Sequence, residues 1–367
     1  MPGGTSVPVP GAFSSAAERV GLWRHYFRRE NPRKLLGFFY DSEFPARRYR
    51  AARKLPDDRP LLPEDFIVEE YLADYDRLHA EMEECPGDFI FSASAFWGIP
   101  WLEAALGCPI RVNHTTGSLY VEKPPAFSGP ASVPDFDDAS PWIAKLLEFL
   151  DTLAVHSGGR YPLATTRMRG VADLLAALYG GEEFLFAMME RPGEVRETCG
   201  RLTRFYIEMG RFQLNHIPPF HNGIGSFYYH LWAPAGTVWH QEDSVMLLSP
   251  ELYKEFILPR DREIFGAFQG NIMHFHSTGG YIPVDEVLSL GPTAVEMHID
   301  SGGPSAEKLH DTHLRILEKS PLIIWGAMTE ADLDWIFSML PDRGVAVNAA
   351  VRGPDEARRL LAKYGGN

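Results

Sequence analysis

The segment NIMHFHSTGG, residues 271–280, places two histidines, His274 and His276, two apart at the end of a short apolar run, with Gly-Gly following. Side chains two apart on a strand point the same way. Both imidazoles can therefore face one centre. Neighbouring apolar runs end in similar fashion: His240, Gln241, Glu242 and Asp243 close one, Glu296, His298 and Asp300 close another, and Asn348 lies in a third. Imidazole with carboxylate suits zinc and other divalent first-row ions. A catalytic zinc takes about three protein ligands and keeps an open position. The expected metal set is His274 and His276 with Glu242 or His240, and His298 is a further ligand or a proton shuttle. The same residues also fit a metal-free acid/base site, in which His276 or His240 delivers a proton to a carbanion.

Substrate-holding groups are expected beside these histidines. Arg167 and Arg169, in YPLATTRMRG, can grip carboxylates in bidentate fashion or form structural salt bridges. Two aromatic stretches, FWGIPW (96–101) and GSFYYHLWAPAG (225–236), offer Tyr229 and Trp232 as either core or pocket wall. Asn348 completes the expected substrate-contacting set.

The elements that must position these residues follow from periodicity. In the C-terminal half, five apolar runs are each followed by a helical stretch, beginning near 237, 271, 294, 322 and 345. Such a series implies a parallel sheet with helices outside. No GxGxxG or GxxxxGK[ST] loop follows any of these runs, which favours a (β/α)₈ TIM barrel over a doubly wound nucleotide-binding sheet. In a barrel the active site forms at the C-terminal strand ends. Upstream, 63–84 reads as a helix with Asp65 as N-cap, 88–96 as a strand, 99–107 as a short helix, 140–159 as a helix stopped by Gly-Gly, and 171–216 as two or three helices. A further strand is expected to end at Tyr228–His230. Residues 1–14 read as a flexible leader. The expected organisation is a leader and N-terminal helical extension over 1–60, with the basic run RRYRAARK, then a barrel over 61–367.

Composition narrows the function classes. A net charge of −14 argues against a nucleic-acid-binding surface. Three cysteines without a CxxC pair point to a reducing cytoplasm. No run approaches the ~18 apolar residues of a membrane span, and the N-terminal residues lack the pattern of a secretory signal. A small-molecule substrate is expected.

The order of segments resembles the uroporphyrinogen decarboxylase superfamily. The residues that carry the resemblance are LSPELYKEFILPRDREIF (248–265), VDEVLSLGPTAVEMHID (284–300) and IIWGAMTEADL (323–333), supported by IPWLEAALGCPI (99–110) and the RPGEV turn. It spans about residues 85–365. The resemblance implies a (β/α)₈ barrel, often a homodimer, with one of two activities. One is cofactor-free decarboxylation of uroporphyrinogen or a similar polycarboxylate. The other is zinc-dependent methyl transfer with a corrinoid held by a partner protein. The methyltransferases carry His-x-Cys at the strand end, where this chain has His274-Phe275-His276. The decarboxylases carry an arginine- and glycine-bearing motif near RQAGR and a histidine after the last strand; here that strand reads VNAAVRG. Divergent methyltransferase-like chemistry with Zn²⁺ is the leading expectation and decarboxylation the second. A non-catalytic ligand-binding barrel is the third. Metal-dependent amidohydrolases also carry an HxH pair, but on their first strand.

Overall fold

The computed structural model describes residues 15–40, 44–227 and 229–365. The expected leader at 1–14 and Tyr228 lie outside them. Seven parallel strands form the central sheet: β1 Leu35–Tyr40, β2 Met168–Arg169, β3 Thr237–Gln241, β4 Gly270–His276, β5 Ala294–Ile299, β6 Leu322–Gly326 and β7 Val345–Val351. Their spatial order is β1-β7-β6-β5-β4-β3-β2. An extended stretch closes the ring between β1 and β2. Asp88 N donates to Leu36 O at 2.8 Å, and Ala93 pairs in parallel with Leu163. The 88–96 segment thus takes the expected place in the barrel, but through one isolated bridge and single hydrogen bonds and not as a continuous strand.

The helices that surround the sheet are α1 Ala16–Phe27, α2 Val68–Glu83, α3 Trp101–Ala105, α4 Pro141–Ser157, α5 Val171–Tyr179, α6 Glu183–Glu190, α7 Pro192–His216, α8 Leu258–Ala267, α9 Val284–Leu288, α10 His310–Lys319, α11 Glu330–Met339 and α12 Pro354–Tyr364. The five strand-then-helix units of the C-terminal half all form. Strands β6 and β7 are buried almost throughout, as a sheet covered by helices requires. None of the helices is long and apolar enough to cross a membrane among the described residues.

Three expectations are corrected. The expected 1–60 extension does supply α1, with Ser15 and Glu18 forming a capping box, but it also contains β1, which pairs with β7 along its whole length. The barrel therefore begins before residue 60. Asp65 does not cap α2: the helix starts at Val68, and Asp65 instead accepts from Leu62 N at 2.7 Å and pairs with Arg59. No strand ends at His230. The strands there are a short antiparallel hairpin, Gly223–Gly225 with Trp232–Pro234.

Tyr229, between the two strands of that hairpin, fills the barrel. Tyr229 stacks on Trp239 of β3 with ring centroids 4.2 Å apart, meets Trp325 of β6 edge-on at 5.4 Å, and its carbonyl accepts from Asn348 Nδ2 of β7 at 3.0 Å. One side chain that touches strands from across the sheet must lie in the lumen. It forms the floor beneath the strand ends.

Candidate metal centre and pocket

Strand alternation sorts the residues of β3, β4 and β5 between lumen and helix layer. In the registers of these strands His276 stands opposite His298, and His274 opposite Glu296. The three imidazoles meet at the C-terminal rim, with ring centroids 4.7 Å (His274–His276), 4.9 Å (His276–His298) and 6.1 Å (His274–His298) apart.

Each of the paired histidines has its Nδ1 engaged by a carboxylate. His276 Nδ1 donates to Asp300 Oδ1 at 2.6 Å. His274 Nδ1 is hydrogen-bonded to Glu296, and the Tyr229 hydroxyl lies 3.1 Å from the same nitrogen. The Nε2 atoms are thereby turned toward Asp243, whose Oδ1 is 3.7 Å from His274 Nε2 and 3.5 Å from His276 Nε2. Both His274 Nε2 and Asp243 Oδ1 are buried without a hydrogen-bond partner.

Asp243 is held from behind. Asp173 of α5 accepts from Asp243 N at 3.1 Å and Ser244 N at 2.7 Å, and Gln241 Nε2 donates to Asp243 Oδ2 at 2.5 Å. Asp173 is in turn paired with Arg169, which also bridges to Glu103 at 2.9 Å. Arg169 is therefore a structural cation, and the expectation that it binds substrate is corrected. Its charge is taken up by two buried carboxylates.

The electrostatics separate the histidines. Burial pulls His274 down to about 4, and the neighbouring His276 adds to the effect. Burial acts on His276 too, but the hydrogen bond to Asp300 and the charges of Asp243 and Asp300 outweigh it and lift the group to about 9. His298 falls to about 3 through burial and the adjacent histidines. Burial opposes ionisation of Asp300, yet His276 holds its carboxyl well below the usual range. Glu296 is pushed well upward by burial.

Above this cluster opens a cavity of about 320 Å³. It is lined by Phe44, Trp97, Gly98, Ser118, Leu119, Arg167, Gln241, Asp243, His274, His276, His298, Asp300 and Trp325. Arg167 reaches it with no carboxylate paired to it among the described residues. Trp97 and Gly98 bear out the pocket-wall reading of FWGIPW. Among the described residues, the other aromatic stretch does not line the pocket. Trp232 lies at the opposite end, with Phe27 of α1 6.4 Å away, ring to ring, and its Nε1 donating to Phe220 O. Tyr229 and Asn348 form the floor and offer no wall to a ligand.

His240 and Glu242 are not ligands of this centre. In β3 it is Trp239 and Gln241 that face inward. His240 faces α7 and α8, with its ring 5.2 Å from Tyr206 and 5.9 Å from Phe265. Glu242 accepts from Val171 N at 2.7 Å and Ala172 N at 2.9 Å at the start of α5. The structure brings His274, His276 and His298 together, with one ring nitrogen of each within 4.8 Å of the others, and sets Asp243 against the Nε2 atoms of His274 and His276 and Asp300 behind His276. Asp243 and Asp300 lie just past the ends of β3 and β5, with Asp243 opening a 3-10 turn, so their place at the strand ends marks them in the sequence while their facing is set by the loops.

No family model matches the sequence, and no curated protein matches it. The fold is similar to that of a methyltransferase from Methanosarcina mazei, with a TM-score of 0.61 and 12% identity over 93% of this chain and 97% of the other.

Proposed function

We propose that this barrel is a divalent-metal-dependent enzyme, with His274 Nε2, His276 Nε2 and Asp243 Oδ1 as ligands. The observation that carries this reading is the pair of buried, unpartnered ligand atoms, His274 Nε2 and Asp243 Oδ1, aimed at one point while carboxylates engage both Nδ1 atoms. Carboxylate–histidine pairs of this kind orient metal-binding imidazoles. For zinc bonds of about 2.0–2.1 Å at tetrahedral angles, ligand atoms stand about 3.4 Å apart. The observed 3.5 and 3.7 Å are close to that spacing. A bound divalent ion supplies Lewis acidity, lowering the proton affinity of a thiol, alcohol or water at its open position.

The reaction that this reading favours is methyl transfer to a small acceptor, with the methyl group carried by a corrinoid on a partner protein. The resemblance of segments 248–265 and 284–300, together with the barrel shared with a methyltransferase, supports it. The cavity supports it too. About 320 Å³ is the size of a small-molecule site. A corrinoid would stay in its carrier outside the mouth. Arg167 would hold an anionic group of the acceptor. His298, beside the metal ligands, would be a further ligand or a proton shuttle. Asp300 keeps His276 oriented and Tyr229 keeps the floor dry.

A second reading, decarboxylation of a small carboxylate, has one specific support: Arg167 and a His276 lifted to about 9 share the cavity. Metal content and turnover separate the two. The first reading expects zinc at this centre, lost in the His274→Ala/His276→Ala variant, and demethylation of a methylated corrinoid in the presence of a thiol or alcohol. Wild-type and variant proteins with equal metal content would overturn it. Carbon dioxide release by protein whose front centre is empty would establish the second.

A further inference from the structure

We propose that the protein holds a second divalent metal ion, with a structural role, outside the barrel wall, bound by His240 Nε2, Glu242 Oε1 and Asp261 Oδ1. This site is independent of the pocket and of the function proposed for it. His240 and Asp261 are fully buried, and Glu242 is 3% exposed. His240 Nε2 is 3.4 Å from Glu242 Oε1 and 3.4 Å from Asp261 Oδ1. That is beyond the usual 2.7–3.2 Å of an N–H···O bond but matches the about 3.4 Å edge of a tetrahedral zinc shell.

The surroundings orient each ligand and leave one position of each directed inward. Asp261 Oδ2 accepts from the Tyr253 hydroxyl at 2.7 Å, while Oδ1 has no hydrogen-bond partner. Glu242 is held by Val171 N and Ala172 N. Neither nitrogen of His240 has a hydrogen-bond partner, and the buried hydroxyl of Tyr206, whose ring is near His240, has none either. Buried polar groups are ordinarily satisfied. Several unsatisfied ones around one point indicate a shared partner. Among the described residues no lysine or arginine pairs with Glu242 or Asp261, so His240 is the basic side chain set against two buried carboxyls; a divalent ion in place of the protons would balance both carboxylates.

The chain also makes room for such a centre. A Cβ at Gly170 would come within 2.2 Å of Glu242 Oε1 and 2.8 Å of His240 Nε2. Only glycine lets β2 run into α5 past these atoms. Pro259, at the start of α8, follows a π-helical turn over Tyr253–Ile257. Asp261 sits just beyond that turn, with the Tyr253 hydroxyl on its carboxylate. A metal here would tie the end of β3 and the start of α5 to α8.

The test uses the full-length His274→Ala/His276→Ala protein, which lacks the front centre, produced with added zinc. About one equivalent of zinc should remain. Prolonged chelation should remove it and lower Tm by roughly 5 °C or more, and zinc should restore Tm. His240→Gln/Asp261→Asn, in a chain with the front histidines intact, should lose one equivalent and keep the front one. Should that variant fail to fold, Tyr253→Phe, which only frees Asp261 Oδ2, should weaken zinc binding at the back site by about 10–100-fold. No zinc in the His274→Ala/His276→Ala protein, with a Tm that ignores chelator, overturns the proposal. Equal zinc in the wild-type and His274→Ala/His276→Ala proteins, at one equivalent that His240→Gln/Asp261→Asn removes, would overturn the proposed function and leave this site standing.

Discussion

Gln241 of β3 lies opposite His274 of β4, and His240 lies opposite Met273. This one-residue offset separates two histidine clusters by the thickness of the barrel wall. The inner one, His274, His276 and Asp243, opens into a cavity. The outer one, His240, Glu242 and Asp261, is sealed beneath α7 and α8. Both have carboxylates 3.4–3.7 Å from an Nε2. They differ in access and in what stands behind the ligands. The inner imidazoles are backed by Glu296 and Asp300, whereas the outer carboxylates are backed by Tyr253 and two backbone N–H groups. Similar ligand chemistry thus suits an exchangeable site in one place and a structural one in the other, and the accessible face decides which.

The widest disruption should come from the network that joins them. Asp173 holds Asp243, and Glu242 caps the helix that carries Asp173. Arg169→Met would leave Glu103 and Asp173 buried without their cation, at a cost of about 3–5 kcal/mol. Denaturant unfolding should show that loss, with metal affinity falling at both clusters. A loss under 1 kcal/mol would mean that the two clusters are not mechanically joined.

Changes confined to one face should separate them. Asp300→Asn should weaken zinc at the inner cluster by about 10–100-fold and leave the outer one untouched, as read by titration with a competing chelator. Arg167→Met should raise KM for an anionic acceptor by about 10–100-fold, equivalent to roughly 1.5–3 kcal/mol, without changing Tm or metal content.

The pH response of metal-stripped protein should involve both clusters with one sign. His276 is lifted to about 9, by Asp300 and Asp243 against the pull of burial. His240 is lifted to about 9, by Asp261 and Glu242 against burial. Both histidines contribute stability that is complete below their unfolded value near 6.5 and lost as pH rises through 9. Glu242, raised to about 8 chiefly by burial, binds its proton more tightly folded than unfolded, so its contribution also falls as pH rises toward 8. Stripped protein should therefore melt at a lower temperature at pH 9 than at pH 6.5. His276→Gln and His240→Gln should each flatten part of that decline. A stability that rises over this interval would contradict the assignment. The smallest effect is expected for Tyr229→Phe, about 1 kcal/mol from the lost hydroxyl contacts with His274 and Glu296, with the floor packing retained.

Local pattern made much of this molecule legible. The five strand-then-helix units, the helices at 68–83, 101–105 and 141–157, and the shared face of His274 and His276 all follow from spacing along a few turns or one strand. Such periodicity is a property of neighbouring residues, so it survives reading without the fold. The 88–96 segment was legible as extended, but its pairing is reduced to one bridge and single hydrogen bonds because it is wedged between β1, the stretch before β2 and the lumen-filling Tyr229.

What the chain order alone determined is the parallel α/β plan and a histidine pair at a strand end. Which histidine joins which carboxylate was decided by the tertiary structure. His240 looked equivalent to His274 in the sequence, yet the register of β3 against β4 turns it outward, and burial then gives it Asp261 from a helix as partner. Arg167 and Arg169 looked interchangeable until Glu103 and Asp173 neutralised one of them. Facing, pairing and burial depend on residues far apart in the chain, and only closure of the barrel brings those residues within bonding distance.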